Sequence, residues 1–323
     1  MRRLLGRIGQ AALTWALAVT LAFFLMRLTP GSPIAALDEE TRMAPDQVER
    51  LRRLYCLDCP LLTQYTTFLS GAVSGNLGGS IRYNGQPVNA LIASRLPATL
   101  LLGGTVLLIN FTLGSWLGAL QAVRQGSRLD HGLSFLSLTL YAIPSFWLGL
   151  TLAWLFGIEW HLLPVAGIHD VTLSAEAGAL TRGVDLLRHL ILPALTLSAV
   201  SIAATMRHQR SAMLEALRLD CVRTARAKGL TERQVLLHHA WRNAVGPMIT
   251  LFGLWLPILV TGAVFVEAVF GWPGLGSLAS EAINNRDYPL IMGATLLAAG
   301  LVVLGGLVAD LLHGWFDPRV EAI

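Results

Sequence analysis

The sequence predicts an all-α membrane protein with six transmembrane helices and cytoplasmic N- and C-termini. Three observations carry this: few charges, six uncharged apolar runs, and basic residues gathered in alternate loops. Of 323 residues, 54% are hydrophobic and 14% charged, where a soluble globular domain has roughly 25% charged. The runs cover residues 8–26, 96–123, 132–158, 190–206, 248–266 and 290–309. A spanning helix needs about 20 apolar residues at about 1.5 Å each, and every run comes close to or exceeds that. Strand-like alternation is absent, so helices rather than a barrel would satisfy the backbone in lipid.

Lys and Arg mark cytoplasmic loops. Arg2, Arg3 and Arg7 precede the first run, and Arg124 and Arg128 separate the second from the third. Between the fourth and fifth, Arg207, Arg210, Arg218, Arg223, Arg226, Lys228, Arg233 and Arg242 outweigh Glu215, Asp220 and Glu232. The alternate loops reverse the balance. Arg182 and Arg188 meet Glu159, Asp170, Glu176 and Asp185, and Arg286 meets Glu267, Glu281 and Asp287. The formal charge of +4 therefore reports topology rather than nucleic-acid binding. The first run is long for a signal peptide and no small-x-small cleavage pattern follows it, so it reads as a retained helix.

No linker or low-complexity tract interrupts residues 1–323, which read as a single transmembrane domain. Within it, 29–95 form an extracytoplasmic loop and 207–247 a cytoplasmic segment. Pro45 opens a short amphipathic helix with Val48, Leu51 and Tyr55 on one face. The apolar stretch 61–73 leads into a turn at 75–79. Cys56 and Cys59 form a C-x-x-C whose spacing leaves a disulfide and two free thiols equally open; a metal site would need two more ligands. Pro144 and Pro257 fall inside apolar runs and predict kinks, which suit moving and static bundles alike.

The 207–247 segment carries the mechanism. Residues 211–228 are rich in helix formers, Gly229 suits a helix C-terminus, and Thr231 with Gln234 matches a capping box. Helix, sharp turn and helix make a lever that could seat in another protein. An amphipathic segment on anionic lipid would favour arginine equally.

Arg223-Thr-Ala225 followed after three residues by Gly229 resembles the EAA loop of permease subunits in ATP-driven importers. The stretch Val222-Arg-Thr-Ala-Arg-Ala-Lys-Gly-Leu230 is similar to the form found in the dipeptide, oligopeptide and nickel branch. Further matches run along nearly the whole chain: Leu28-Thr-Pro-Gly-Ser-Pro33, Leu61-Leu-Thr-Gln-Tyr65, Gly75-Asn-Leu-Gly-Gly-Ser80, Phe270-Gly-Trp-Pro-Gly-Leu-Gly276, Asn285-Arg-Asp-Tyr-Pro289 and Phe316-Asp-Pro-Arg319. Three positions depart from the pattern: Cys56 where Gly is usual, Cys59 where a polar residue is usual, and Arg242 where the broader consensus has Pro.

The resemblance implies a type I importer permease of the bacterial inner membrane, forming half of a translocation pathway for peptides, a nickel or metal chelate, or a related small solute. It implies a second homologous permease, two ATP-binding subunits and an extracytoplasmic solute-binding protein as partners. Arg223, Thr224, Ala225, Ala227, Lys228, Gly229 and Leu230 would contact the ATPase. ATP and Mg would be held by those partners, and this chain would hold no cofactor. Lys228 is the sole lysine and Gly229 follows it, so a Walker A motif is excluded here. An ion-coupled secondary transporter and a lipid-binding scaffold are the competing readings; the first calls for mid-membrane acids and inverted repeats, which the sequence does not clearly show.

Remaining polar residues point more weakly. Glu267 and Asp310 end the fifth and sixth runs, where hydration is expected. Asn110, Ser198, Ser201 and Thr205 lie within spans, where packing across helices is the commoner role. His238 and His239 diverge on a helix, and His161, His169 and His189 lack metal-ligand spacing.

Overall fold

The computed structural model describes residues 2–28, 44–173, 178–256 and 263–316. Helices dominate, and strand pairing among the described residues is one isolated bridge between Gly79 and Pro87. In chain order the helices are α1 (Arg2–Leu28), α2 (Pro45–Leu54), α3 (Leu61–Ser74), α4 (Val88–Val123), α5 (Arg128–Ala142), α6 (Ser145–Glu159), α7 (Ala179–Ala216), α8 (Asp220–Ala227), α9 (232–244), α10 (Gly246–Trp255), α11 (Val264–Val269), α12 (Leu275–Asn284) and α13 (Tyr288–Phe316).

Four of these, within α1, α4, α7 and α13, are long and apolar enough to cross a membrane; the bent pair α5–α6 makes five. The predicted kink at Pro144 is a break. Ile143 is extended (ψ 127°), as sterics before proline favour, and α5 meets α6 at 100°. The fifth apolar run appears as α10 and α11; its middle, with Pro257, lies outside the described residues, as do residues 29–33 and 317–319 of the motifs above and Glu176.

The chain forms two compact units, Met1–Thr99 with Pro273–Val303, and Leu100–Trp272 with Leu304–Ile323. In the first, Val19, Phe23 and Met292 form a buried cluster with Trp15, Tyr65 and Phe68 around it. The amphipathic reading of α2 holds: Val48, Leu51 and Tyr55 are half-buried while Arg52, Arg53 and Leu54 are exposed. Cys56 and Cys59 are joined as a disulfide. Cys56 has φ +50°, the left-handed region that glycine enters most easily, which accounts for glycine being usual there.

Asp287, fully buried, joins two motifs about two hundred residues apart in sequence. Its carboxylate accepts from the Ser80 hydroxyl and from the Arg82 N–H (3.1 Å), and it caps α13 through the Leu290 N–H (3.2 Å). The Tyr83 hydroxyl donates to Glu281 (2.8 Å) nearby.

The second unit is organised on α7. It packs closely on α4, where a wider π-type turn at Asn110–Gly114 interrupts the regular helix. A Cβ added at Gly114 would lie 3.2 Å from Thr205, and one at Gly118 would lie 2.8 Å from the Gln209 Cβ and against the Met206 carbonyl. Small residues let the two backbones approach. The same device recurs between α10 and the end of α13, where a Cβ on Gly253 would stand 2.7 Å from the Gly305 carbonyl. Asn110, Ser198, Ser201 and Thr205 are all buried, but they do not bond across helices: Ser201 donates to the Ser198 carbonyl of its own helix (3.2 Å), and the Asn110 amide and the Ser198 and Thr205 hydroxyls have no hydrogen-bond partner among the described residues. Glu267 is fully buried rather than lying at a hydrated edge, as are Phe270 and Trp272 just after it, and its carbonyl accepts from the Trp272 N–H (2.8 Å).

Candidate functional site

Residues 211–228, expected as one helix, form two. α7 runs to Ala216, the chain turns through Leu217 and Leu219, and Leu219 adopts an extended conformation (ψ 146°) that starts α8. Asp220 in the first turn complements the helix dipole there. The break has a packing cause. It lets α8 fold back so that Val222 and Ala225 bury against Ala212, Met213 and Ala216 of α7 and Val235, Ala240 and Ala244 of α9. At roughly 25 cal/mol per Å², burying these small side chains gives the lever a modest but continuous floor.

Gly229 has φ +78° and ends α8, and its N–H donates to the Arg226 carbonyl (3.0 Å). Thr231 then caps α9, its N–H and hydroxyl both donating to Gln234 Oε1 (3.1 and 2.9 Å). Arg226 reaches across the turn to Glu232 with two bonds (3.2 and 2.6 Å). That bidentate pairing holds the Glu232 carboxyl below its usual range and raises Arg226 further. Both side chains are about half exposed, so the pair fixes geometry and adds less than about 1 kcal/mol.

Six of the seven predicted contact residues, Arg223, Thr224, Ala227, Lys228, Gly229 and Leu230, are exposed. Ala225 is not. At 2% exposure it faces α7, because a residue three positions after Val222 shares its inward side. Leu219 and Leu237 add exposed apolar side chains to the same segment.

A second feature went unread in the sequence. Asp130, 3% exposed at the start of α5, takes two bonds from Arg210 of α7 (Nε 2.9 Å, Nη2 2.8 Å), one from the Gly126 N–H (3.0 Å), and lies beside the Gln121 amide of α4. One carboxylate thus ties three helices together just before the lever begins. A readable signal existed: Ser127 three residues before Asp130, an N-cap pattern that the structure realises with a 3.3 Å bond to the Asp130 N–H.

The histidines group without making a metal centre. His169 and His189 both approach Asp185 (3.1 and 3.2 Å), yet no set of three or more His, Cys, Asp or Glu among the described residues is placed to hold a metal. His238 is near the Gln234 carbonyl (3.3 Å), and the His239 carbonyl accepts from Asn243 (2.6 Å), both local helical contacts.

The family model described as "Binding-protein-dependent transport system inner membrane component" matches residues 84–322, which contain α8, the turn at Gly229 and the residues packed beneath them. The oligopeptide transport system permease protein AppB of Bacillus subtilis (strain 168) is 40% identical over 301 residues, 93% of this chain and 93% of that protein. The di/tripeptide transport system permease protein DppB of Pseudomonas aeruginosa (strain UCBPP-PA14) is 40% identical over 331 residues, 98% and 97% of the two chains. The dipeptide transport system permease protein DppB of Escherichia coli (strain K12) is 36% identical over 333 residues, 98% of each. On this coverage the chain belongs to the family of binding-protein-dependent transport system inner membrane components, as a permease subunit of a transporter and not an enzyme.

Proposed function

We propose that this chain is one half of the translocation pathway of an ATP-driven peptide importer and that α8 is its handle for the ATPase. The observation that carries this reading is an exposed face, Arg223 to Leu230, on a helix whose opposite side is buried against α7 and α9. Peptide as substrate follows the relatives named above. The full assembly comprises a second homologous permease, two ATP-binding subunits that hold ATP and Mg, and an extracytoplasmic solute-binding protein. The chain itself is a single six-span domain of the bacterial inner membrane, with both termini cytoplasmic, of the type I importer kind. ATP binding closes the ATPase dimer, α8 moves with it, and the bundle opens outward; hydrolysis resets it.

Gly229 tests the handle. Its φ of +78° is open to glycine and tolerated by asparagine, but costs other residues about 1–2 kcal/mol and β-branched ones more. Gly229→Val, in correctly inserted protein, is expected to cut ATPase co-purification and uptake on the order of tenfold. Gly229→Asn keeps most of both. Undiminished assembly and uptake in Gly229→Val would remove α8 from the coupling path.

Orientation has a reporter already in the chain. Cys56 and Cys59 are bonded to each other and Cys221, on α8, is exposed and free. A membrane-impermeant maleimide is expected to leave Cys221 unmodified in intact cells stripped of outer layers and to label it in inverted vesicles. The reverse pattern would overturn the topology.

A further inference from the structure

The first unit holds a cavity of about 390 Å³ between the end of α1, the α2–α3 connection, the 74–78 turn and the start of α13. Its walls are mostly apolar. Phe23 and Phe68 stack at 5.6 Å, and Met292, 4% exposed, packs with them. Thr67, Ser70, Ser74 and Asn76 add polar groups to this wall, and two further ones, Arg27 and Gln64, are each incomplete in a different sense.

Arg27 extends over the rings of Phe23 (5.5 Å) and Tyr288 (4.9 Å), with its Nε buried and unbonded. It has no acidic partner among the described residues. Ring faces offset only part of the cost of removing a guanidinium from water. Gln64 is the second group. It is 7% exposed, and its amide NH₂ donates to the carbonyls of Leu57 (3.2 Å) and Cys59 (2.8 Å). Those bonds fix the side chain, leaving Oε1 buried at the cavity without a hydrogen-bond donor. Among the described residues, a cation with no carboxylate beside it and an acceptor with no donor share one largely apolar cavity, and together they describe a ligand by its complement.

We propose that this cavity binds an amphipathic anion. A carboxylate or phosphate pairs with Arg27, an N–H or O–H donor on the same molecule meets Gln64 Oε1, and an apolar body lies along Phe23, Phe68 and Met292. A phospholipid headgroup and a short peptide with a free C-terminus both present that chemistry. The site does not rest on the coupling proposed for α8, and its test reads binding rather than uptake.

The full chain, purified in mild detergent, is examined by native mass spectrometry with phosphatidylglycerol and, separately, with the dipeptide leucyl-phenylalanine. One equivalent of one probe is expected to be retained, with retention falling tenfold or more in Arg27→Gln and less in Arg27→Lys, which keeps the charge. Retention of phosphatidylglycerol identifies a membrane ligand, and retention of the dipeptide a solute one. The proposal is overturned if neither probe is retained, or if a folded Arg27→Gln protein retains its probe undiminished. Should Arg27→Gln fail to insert, Met292→Trp fills the cavity instead, and binding that survives it would equally refute the site.

Discussion

Asp130→Ala is expected to lower the stability of the detergent-solubilised chain by about 2–4 kcal/mol and to impair uptake in proportion. Deleting one partner of a buried ion pair costs about 3–5 kcal/mol, because the surviving charge is left without a counter-ion. Arg210 is still 28% exposed at its side chain, so water recovers part of that cost. The loss extends beyond the pair, since the Gly126 N–H and the Gln121 amide also give up their contact with the carboxylate. Thermal melting of Asp130→Ala, Arg210→Ala and the double variant closes a cycle whose coupling term is expected to exceed about 1 kcal/mol. Arg226→Ala, at the exposed pair across Gly229, provides the contrast and should cost under about 1 kcal/mol. If Asp130→Ala melts like the parent chain, the three-helix tie is ornamental and α7 is held by packing alone.

Gly118→Val should match it from the packing side, with a loss of about 3 kcal/mol. The first added carbon would meet the Met206 carbonyl, stand 2.8 Å from the Gln209 Cβ and 3.1 Å from the Arg210 nitrogen. Two of these three are backbone atoms, so no rotamer change relieves the clash and α4 must part from α7. Overpacking of this sort costs about 1–3 kcal/mol, and here the separation also pulls Arg210 off Asp130. Gly104→Ala, on the same helix with nothing within 4 Å of the new carbon, should be neutral or mildly stabilising. Equal melting temperatures for the Gly118 and Gly104 variants would show that the α4–α7 seam can yield without cost.

Much of this architecture was readable from composition and local chemistry. Proline opening α2, the glycine ending α8 and the Thr231–Gln234 cap are local signals, set by backbone sterics and short-range bonds that sequence records directly. The exposed face of α8 was legible too, apart from Ala225. What could not be read depends on tertiary contact. The break at Leu217–Leu219 falls among good helix formers, and the buried floor under Val222 accounts for its position. Pro144 announced a kink, whereas the size of the bend depends on where α6 packs: Gly149 lies against Phe270 and Thr196. Asp130 was passed over because a lone acid beside two arginines reads as a solvated loop charge. Its partner stands eighty residues away on another helix. The cavity beside Arg27 was beyond sequence altogether, since it is assembled from four separate stretches of chain.

The length of α7 has a mechanical corollary. Thirty-eight residues at about 1.5 Å each make a rod about 57 Å long, with Pro193 as its one weakened point. From that fulcrum to Ala216 the moment arm is about 35 Å, so a swing of about 5° displaces the α8 end by about 3 Å. Asp130 fastens this arm to α4 and α5 about two turns short of its tip, which prevents it from swinging alone. On the role proposed for α8, the three helices would turn as a yoke, and torque applied there would be delivered to all of them at once.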